Sequence, residues 1–320
     1  MAIVDNKGMV RGTAGSVVYR RYRDMNIIQG KPSKFKQTSE SIRASTEFGL
    51  SSSSAAVIRR AFQPAYVHHD GQAVSRSTQL VYRGIRGSLT GQVGERDLHD
   101  ADLKSIIGME FNNNSRISDV LQVNHRVERD EQGRISVVMG ALNAKTDLRV
   151  PLNINKVVSK YRIRFSLIGF NFRKEYYEYL EVRDLELSKY GRLEAQEIRF
   201  QTQPAADQLL MLSVSVLAYR ETRMDEGYVL LNSKEFSPSA LIAAYAAEEP
   251  GEYPSGLVNM ELSEAQQTRE ASIYCMGYAG NRLLRDLEQK FGPQILAPKK
   301  RTTHDKEPEL FRVGKRVSFS

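Results

Sequence analysis

Ser159–Phe172 reads Ser-Lys-Tyr-Arg-Ile-Arg-Phe-Ser-Leu-Ile-Gly-Phe-Asn-Phe, and its period decides the fold. Tyr161, Ile163, Phe165 and Leu167 fall on one side of an extended chain, with Arg162, Arg164 and Ser166 on the other. Alternation with period two is the mark of a strand with one face turned to a core. Working outward, Val120–Arg129 and Arg134–Leu142 flank the turn Asp130-Glu-Gln-Gly133 as a hairpin. Tyr177–Leu187, Arg192–Gln201, Leu209–Arg220 and Gly227–Leu231 read as further strands. Short polar turns separate them, which predicts an antiparallel sandwich and not alternating β-α-β units.

Helices are expected on either side of this β region. Thr38–Phe62 has Thr38 as cap, Glu40 at the positive end and Arg59-Arg60 at the negative end, and Gln63-Pro64 should stop it. Its apolar stripe is Ile42, Leu50, Val57, Ile58 and Phe62, while Ser51–Ser54 permits close approach. Ser75–Arg86, Asp100–Ile107 and Ser237–Ala247 read as shorter helices, and Phe111–Ser115 as a turn cluster. Ser263-Glu-Ala-Gln266 is a capping box that predicts a long helix to Phe291, halted by Gly292-Pro293. The predicted class is α+β, mainly β: an extended basic arm (1–37), a helical and loop region (38–115), an antiparallel sandwich (116–250), a long C-terminal helix (251–296) and a basic tail (297–320).

Composition narrows the function. The chain has 320 residues, 41% hydrophobic, with 12 Phe, 15 Tyr and no Trp, enough apolar matter for packed cores. Its one cysteine, Cys275, excludes an intramolecular disulfide and a Cys-based zinc site. Met1–Lys7 lacks an apolar signal region, and runs such as Leu209–Leu212 are far too short to cross a bilayer. The expectation is a cytoplasmic protein, or a virion component if phage-encoded, with no membrane span.

Charge is uneven. Residues 1–60 carry 11 Lys/Arg against 4 Asp/Glu, within a net charge of +8 for the chain. Basic termini around a near-neutral body point to a protein that grips something. Arg20, Arg21 and Arg23 interleave with Tyr19 and Tyr22, a mixture suited to phosphates and stacked bases. The same mixture suits an acidic protein neighbour, with arginines forking carboxylates. The candidate contact residues are therefore Tyr19, Arg20, Arg21, Tyr22, Arg23, Lys31, Lys34 and Lys36, with Lys299, Lys300 and Arg301 in the tail.

Catalytic signals are thin. His68-His69-Asp70 is the only histidine cluster, and a metal there would need distant ligands such as His99 or Asp100. Glu175, Glu178, Glu181, Asp184 and Glu186 alternate with Arg and Lys, as on a mixed-charge solvent face, although paired carboxylates also serve acid–base chemistry. Gly84, Gly87, Gly91 and Gly94 lack the Gly-Lys-Ser/Thr ending of a phosphate loop and read as a flexible loop. No nucleophile elbow or His-Glu-x-x-His is present, so no catalytic residue, metal or cofactor is assigned.

Gly12-Thr-Ala-Gly-Ser-Val-Val-Tyr19, Gln29-Gly-Lys-Pro32 and Arg43-Ala-Ser-Thr-Glu-Phe48, with an echo at Phe111–Ser115, resemble an uncharacterised bacterial family. Its members open with a Gly-rich arm, a basic-Pro step and a helix, followed by an immunoglobulin-like β region. The resemblance implies that order of parts and supplies no active-site residue. Taken together, these readings predict a non-enzymatic structural subunit of a larger assembly, a phage particle or a bacterial surface or secretion machine. Its partners would be copies of itself or neighbouring subunits. The alternative is a nucleic-acid-binding module with its basic termini on phosphates.

Overall fold

The computed structural model describes residues 2–6, 8–22, 25–31, 37–130, 133–222, 227–249 and 272–291, which form two units, Met1–Ala44 and Ser45–Ser320. In the first unit β1 (Ala2–Val4), β2 (Val10–Ala14), β3 (Val17–Tyr22) and β4 (Met25–Gly30) pair in sequence order as an antiparallel sheet. β3 and β4 form a hairpin within the segment that reads as an extended arm. What reads as an extended arm carries two strands more, because Gly8 and Gly15, at φ 76° and 59°, turn the chain back where other residues would be strained.

The division between the units falls within α1 (Ser39–Tyr66). Leu50, Val57, Ile58 and Phe62 are buried as expected, together with Ser51, Ser54 and Ala55. Pro64 does not stop the helix. It removes only one backbone bond near the end, while Ala65 and Tyr66 beyond it are buried and Tyr66 stacks on Phe111 with centroids 4.7 Å apart.

α2 (Ala73–Arg86) and a 3-10 turn at Leu103–Ile106 follow. Gly84 thus belongs to a helix and not to a flexible loop. Then come α3 (Ile117–Val120), β5 (His125–Arg129), β6 (Ile135–Met139), β7 (Leu142–Asn143), α4 (Ala144–Asp147), α5 (Leu152–Val157), β8 (Lys160–Asn171), β9 (Tyr176–Ser188), β10 (Arg192–Leu193), β11 (Gln196–Arg199), β12 (Leu209–Glu221), β13 (Tyr228–Leu230), β14 (Ser239–Tyr245), β15 (Ile273–Cys275) and α6 (Gly280–Phe291).

The class is mixed α+β with antiparallel sheets. The largest has six strands in the order β13-β12-β8-β9-β15, with β14 also on β12; β11-β6-β5 and β10-β7 form smaller sheets. β12 shows why the centre is stable. Leu210, Leu212, Val214, Val216 and Ala218 join an apolar cluster with Ile135, Val137 and Met139 of β6 and Ile198 of β11. Leu209 and Met211, on the reverse face, join a second cluster with Ile58 and Phe62 of α1 and Val81 and Ile85 of α2. A strand buried on both faces needs a largely apolar run, which Leu209–Leu212, Val214 and Val216–Ala218 supply around two buried serines, Ser213 and Ser215.

β8 divides the same way. Tyr161, Ile163, Phe165 and Leu167 enter the first cluster. A register shift against β9 after Leu167 sets Leu180 apart, and Ile168, Phe170 and Phe172 then enter the second. Arg162 and Arg164, on that same face, pair with Glu186 and Asp184.

Two helix expectations are corrected. Ser237–Ala247 contains β14, because Ala240 and Leu241 bury on opposite faces and β12 offers an edge at Leu210–Ser215. The long C-terminal helix is not found in its described part. Ile273–Cys275 pairs with Tyr176–Glu178, Gly277 takes φ 58°, and the helix begins only at Gly280. A β-branched Ile273 and a Tyr274 stacked 5.4 Å from Tyr177 favour the strand there. Residues 251–271 and 292–320, with the capping box at Ser263 and the basic tail, lie outside the described residues.

Candidate functional site

The candidate contact residues fall on a sheet with two unlike faces. The register Ala2–Gly12, Gly12–Tyr19 and Tyr19–Ile28 forms one row across all four strands. With Val4, Val10, Ala14 and Val17, this row makes a nearly apolar face, on which Arg21 and Asn26 are the polar pair. The other face carries Ile3 beside Arg11, Thr13 beside Val18, Arg20 beside Ile27 and Tyr22 beside Met25. The interleaved tyrosines and arginines are thereby divided. Tyr19 shares a face with Arg21, and Arg20 shares the opposite one with Tyr22.

No residue from 2 to 31 is buried among those described; Val4 and Ile28 on the apolar face are each 64% exposed. Lys31 is exposed just beyond β4, its backbone N–H donating to Ser16 O at 2.6 Å. Arg23, Lys34, Lys36, Lys299, Lys300 and Arg301 lie outside the described residues.

The groups that most resemble an enzyme centre sit elsewhere, at the turn between β8 and β9. Arg173 donates from Nε to Asp97 Oδ2 at 3.0 Å and from a terminal nitrogen to Asp100 Oδ1 at 3.2 Å. His99 Nε2 accepts from the Phe172 N–H at 3.0 Å, so the neutral ring carries its proton on Nδ1, which is buried and unbonded. Burial holds its pKa down at about 4. Burial, with Asp97 close by, raises the Asp100 carboxyl. Asn281 of α6 completes the clasp, donating to the Phe172 and Arg173 carbonyls at 3.1 and 2.9 Å and to Glu175 Oε1 at 2.9 Å. Apart from the unbonded His99 Nδ1, these polar contacts hold a hairpin turn, and Glu175 takes φ 59° within it.

Two further clasps brace the helices. Glu47 Oε1 accepts from Arg96 at 2.7 Å and from the Gly94 N–H at 3.1 Å, fastening the 88–96 loop to α1. Asp70 meets Arg76 at 2.6 Å and the Asn113 N–H at 2.7 Å. Desolvation opposes its charge, yet the hydrogen bonds from Arg76, Asn113 and Gln72 hold its pKa down at about 2.

The sequence-level chemistry scatters. His68 donates its backbone N–H to Ser237 Oγ at 3.3 Å, and the His69 ring lies 2.9 Å from Asp70 O. His99 serves the Phe172 amide and Asp100 serves Arg173, so the four do not converge. Among the described residues no three metal-ligating side chains gather. The carboxylates of β9 separate too. Asp184 pairs with Arg164 at 2.8 Å and Glu186 with Arg162 and with Lys160, as a charged ladder. Glu178, by contrast, is fully buried and accepts from Gln208 Nε2 at 2.8 Å, so the mixed-charge solvent face stops short of it.

Glu110, which the sequence does not single out, is a carboxyl held close to neutrality. Burial pushes its pKa up to about 7, against the opposing pull of the Ile117 and Ser118 amides. Its only sequence signal is a carboxylate seven residues before the start of α3. Set against protein-family models, curated proteins and solved structures, the chain matches none.

Proposed function

We propose that this chain is a non-enzymatic structural subunit of a larger assembly, such as a phage particle or a bacterial surface or secretion machine, and that neighbouring subunits cover its N-terminal sheet. One observation carries the reading: four paired strands with an apolar face and no buried residue among those described. A sheet needs a covered hydrophobic face to be stable in water, and an exposed apolar patch of this kind marks a protein contact. In the same reading the β region is an immunoglobulin-like sandwich, with β11-β6-β5 lying over the six-stranded sheet. The apolar cluster they share supports this.

Nucleic acid is the second reading, favoured by the face on which Arg11, Arg20 and Tyr22 come together. Solution mass of the full chain, freed of nucleic acid and measured at low and high salt, separates the two. A defined oligomer that falls apart on Tyr19→Asp supports the subunit. A monomer at all concentrations that binds DNA or RNA at low salt, and loses it on Arg11→Ala with Arg20→Ala, overturns it in favour of the second reading.

A further inference from the structure

A free strand edge offers unpaired N–H and C=O groups to any other chain, and proteins blunt such edges with charge, short length or cover. Among the described residues most edges of this protein are blunted so. β5 carries Arg126, Glu128 and Arg129, and β11 carries Glu197 and Arg199. The stretch of β9 beyond β15 carries Glu181, Arg183, Asp184 and Glu186. β1, β13 and β15 have three residues each, and β7 and β10 two. The outer side of β14 is covered by residues 108–111, with the Leu241 N–H donating to Met109 O at 3.0 Å and the Phe111 N–H to Ser239 O at 2.9 Å. β4 stands apart. Met25-Asn-Ile-Ile-Gln-Gly30 holds neither charge nor proline and ends its sheet. No atom lies within 4 Å of where a Cβ on Gly30 would stand.

Which of its groups face outward follows from the ladder. The Lys31 N–H donates to Ser16 O at 2.6 Å, and the register then pairs Val18 with Gln29, Arg20 with Ile27 and Tyr22 with Met25. Hydrogen-bonded pairs alternate along an antiparallel ladder, so residues 25, 27, 29 and 31 direct their backbone groups to β3. Asn26, Ile28 and Gly30 direct theirs outward, and all three are exposed. We infer that β4 pairs antiparallel with β4 of a second copy about a two-fold axis at Ile28, joining two sheets into one of eight strands, four from each copy. Ile28 then meets Ile28, Asn26 meets Gly30, and every outward N–H and C=O finds a partner. An axis at Ile27 would leave the Gly30 groups beyond the end of the facing strand. A second copy suits this edge because the strand is neutral. Facing itself it sets no like charges opposite one another, and Lys31 falls across from Met25. The same register keeps Val4, Val17, Tyr19 and Ile28 of both copies on one side, so the two apolar faces become one. The pairing rests on the subunit reading, in which neighbours cover that face.

The test uses the full chain with its exposed Cys275 replaced by Cys275→Ser. Into it Ile27→Cys, Ile28→Cys and Gln29→Cys are introduced singly and oxidised mildly. Opposed Cα atoms in a hydrogen-bonded pair stand about 5.5 Å apart, within disulfide reach. The expected result is a covalent dimer from Ile28→Cys alone. A bridge at residue 27 or 29, at all three or at none overturns the pairing. Sedimentation of Asn26→Pro and Asn26→Thr gives a second reading that leaves Ile28 in place. Proline removes one outward N–H from each copy and leaves the bonds to β3 intact, so it should weaken self-association roughly tenfold or more. Threonine keeps the N–H and should stay within about twofold. Equal effects of the two overturn the pairing, as do fibres of indefinite length, which would mean that β4 meets β1 of the next copy. A defined oligomer without the bridge at residue 28 overturns this pairing and leaves the subunit reading standing, whereas a parent chain monomeric at every concentration overturns both.

Discussion

Arg173 Nε stands 3.0 Å from Asp97 Oδ2, and both side chains are almost wholly out of solvent. A buried pair of this kind contributes little over an apolar pair of the same volume, yet breaking it is costly, because the survivor is left charged and desolvated. Arg173→Ala or Asp97→Ala should each lose about 3–5 kcal/mol of unfolding free energy. The double change Asp97→Leu with Arg173→Leu should lose less than the two single losses together, since each single strands the other buried charge, although Asp100 still loses its contact with Arg173. Urea unfolding of the three variants checks this, and a double variant as weak as the sum of the singles would show that the two side chains act independently and that no stranded charge is the cause.

His99 and Glu110 should pull the pH dependence of stability in opposite directions. The His99 ring, held at about 4 against an ordinary 6.5, prefers to be neutral when folded, so its contribution is lost as pH falls from 6.5 towards 4. The Glu110 carboxyl, raised from 4.5 to about 7, also prefers to be neutral, so its folded state loses ground as pH rises from 4.5 towards 7. Each full shift corresponds to at most about 3 kcal/mol. Across their shared window the two nearly offset. Relative to the intact protein, Glu110→Gln should become less stable on acidification from about pH 7 to about pH 5, and His99→Gln more stable. Denaturant midpoints taken across that range for both variants provide the check, and parallel curves would refute the assignment.

Gly84 should resist the usual helix-stabilising change. Alanine within a helix gains about 1 kcal/mol over glycine, but here an added Cβ would meet Ser105 Oγ at 2.6 Å and the Asp102 carbonyl at 2.9 Å. The carbonyl is backbone, at the start of the 3-10 turn, and cannot step aside cheaply. Gly84→Ala should therefore lower stability by about 1–3 kcal/mol. Gly71→Ala, with nothing within 4 Å of the new carbon, should be neutral or stabilise by up to about 1 kcal/mol. Thermal melts of the pair test the contrast.

What could be read in the sequence was local. β8 alternates because one face is core, and α1 shows its stripe because a helix repeats every few residues; both are periodic and need no knowledge of neighbours. β14 was hidden because Ser-Ala-Leu-Ile-Ala-Ala-Tyr is good helix material, and only the free edge of β12 makes it a strand. β15 was hidden for the same kind of reason, its partner lying almost a hundred residues back on β9. The Asp97–Arg173 clasp joins residues far apart in the chain, and no spacing rule brings them together. The division of Tyr19 from Arg20 was legible in principle, since adjacent strand residues oppose each other, once the segment is taken as paired strands.

That division yields a prediction that separates the sheet's faces. Ile28 lies across from Tyr19 on the apolar face, while Gln29 lies across from Val18 on the other. Both positions keep their place in β4, so the same lysine placed at either differs chiefly in which face it charges. If neighbouring subunits cover the apolar face, Ile28→Lys buries an ammonium without a partner and should weaken association by tenfold or more. Gln29→Lys should leave association within about twofold, and neither should shift the unfolding of the Ser45–Ser320 unit. Sedimentation of the two full-length variants against the parent gives the answer. Equal weakening by both would mean that the face is not the determinant, and weakening by Gln29→Lys alone would place the contact on the Arg11 and Arg20 side.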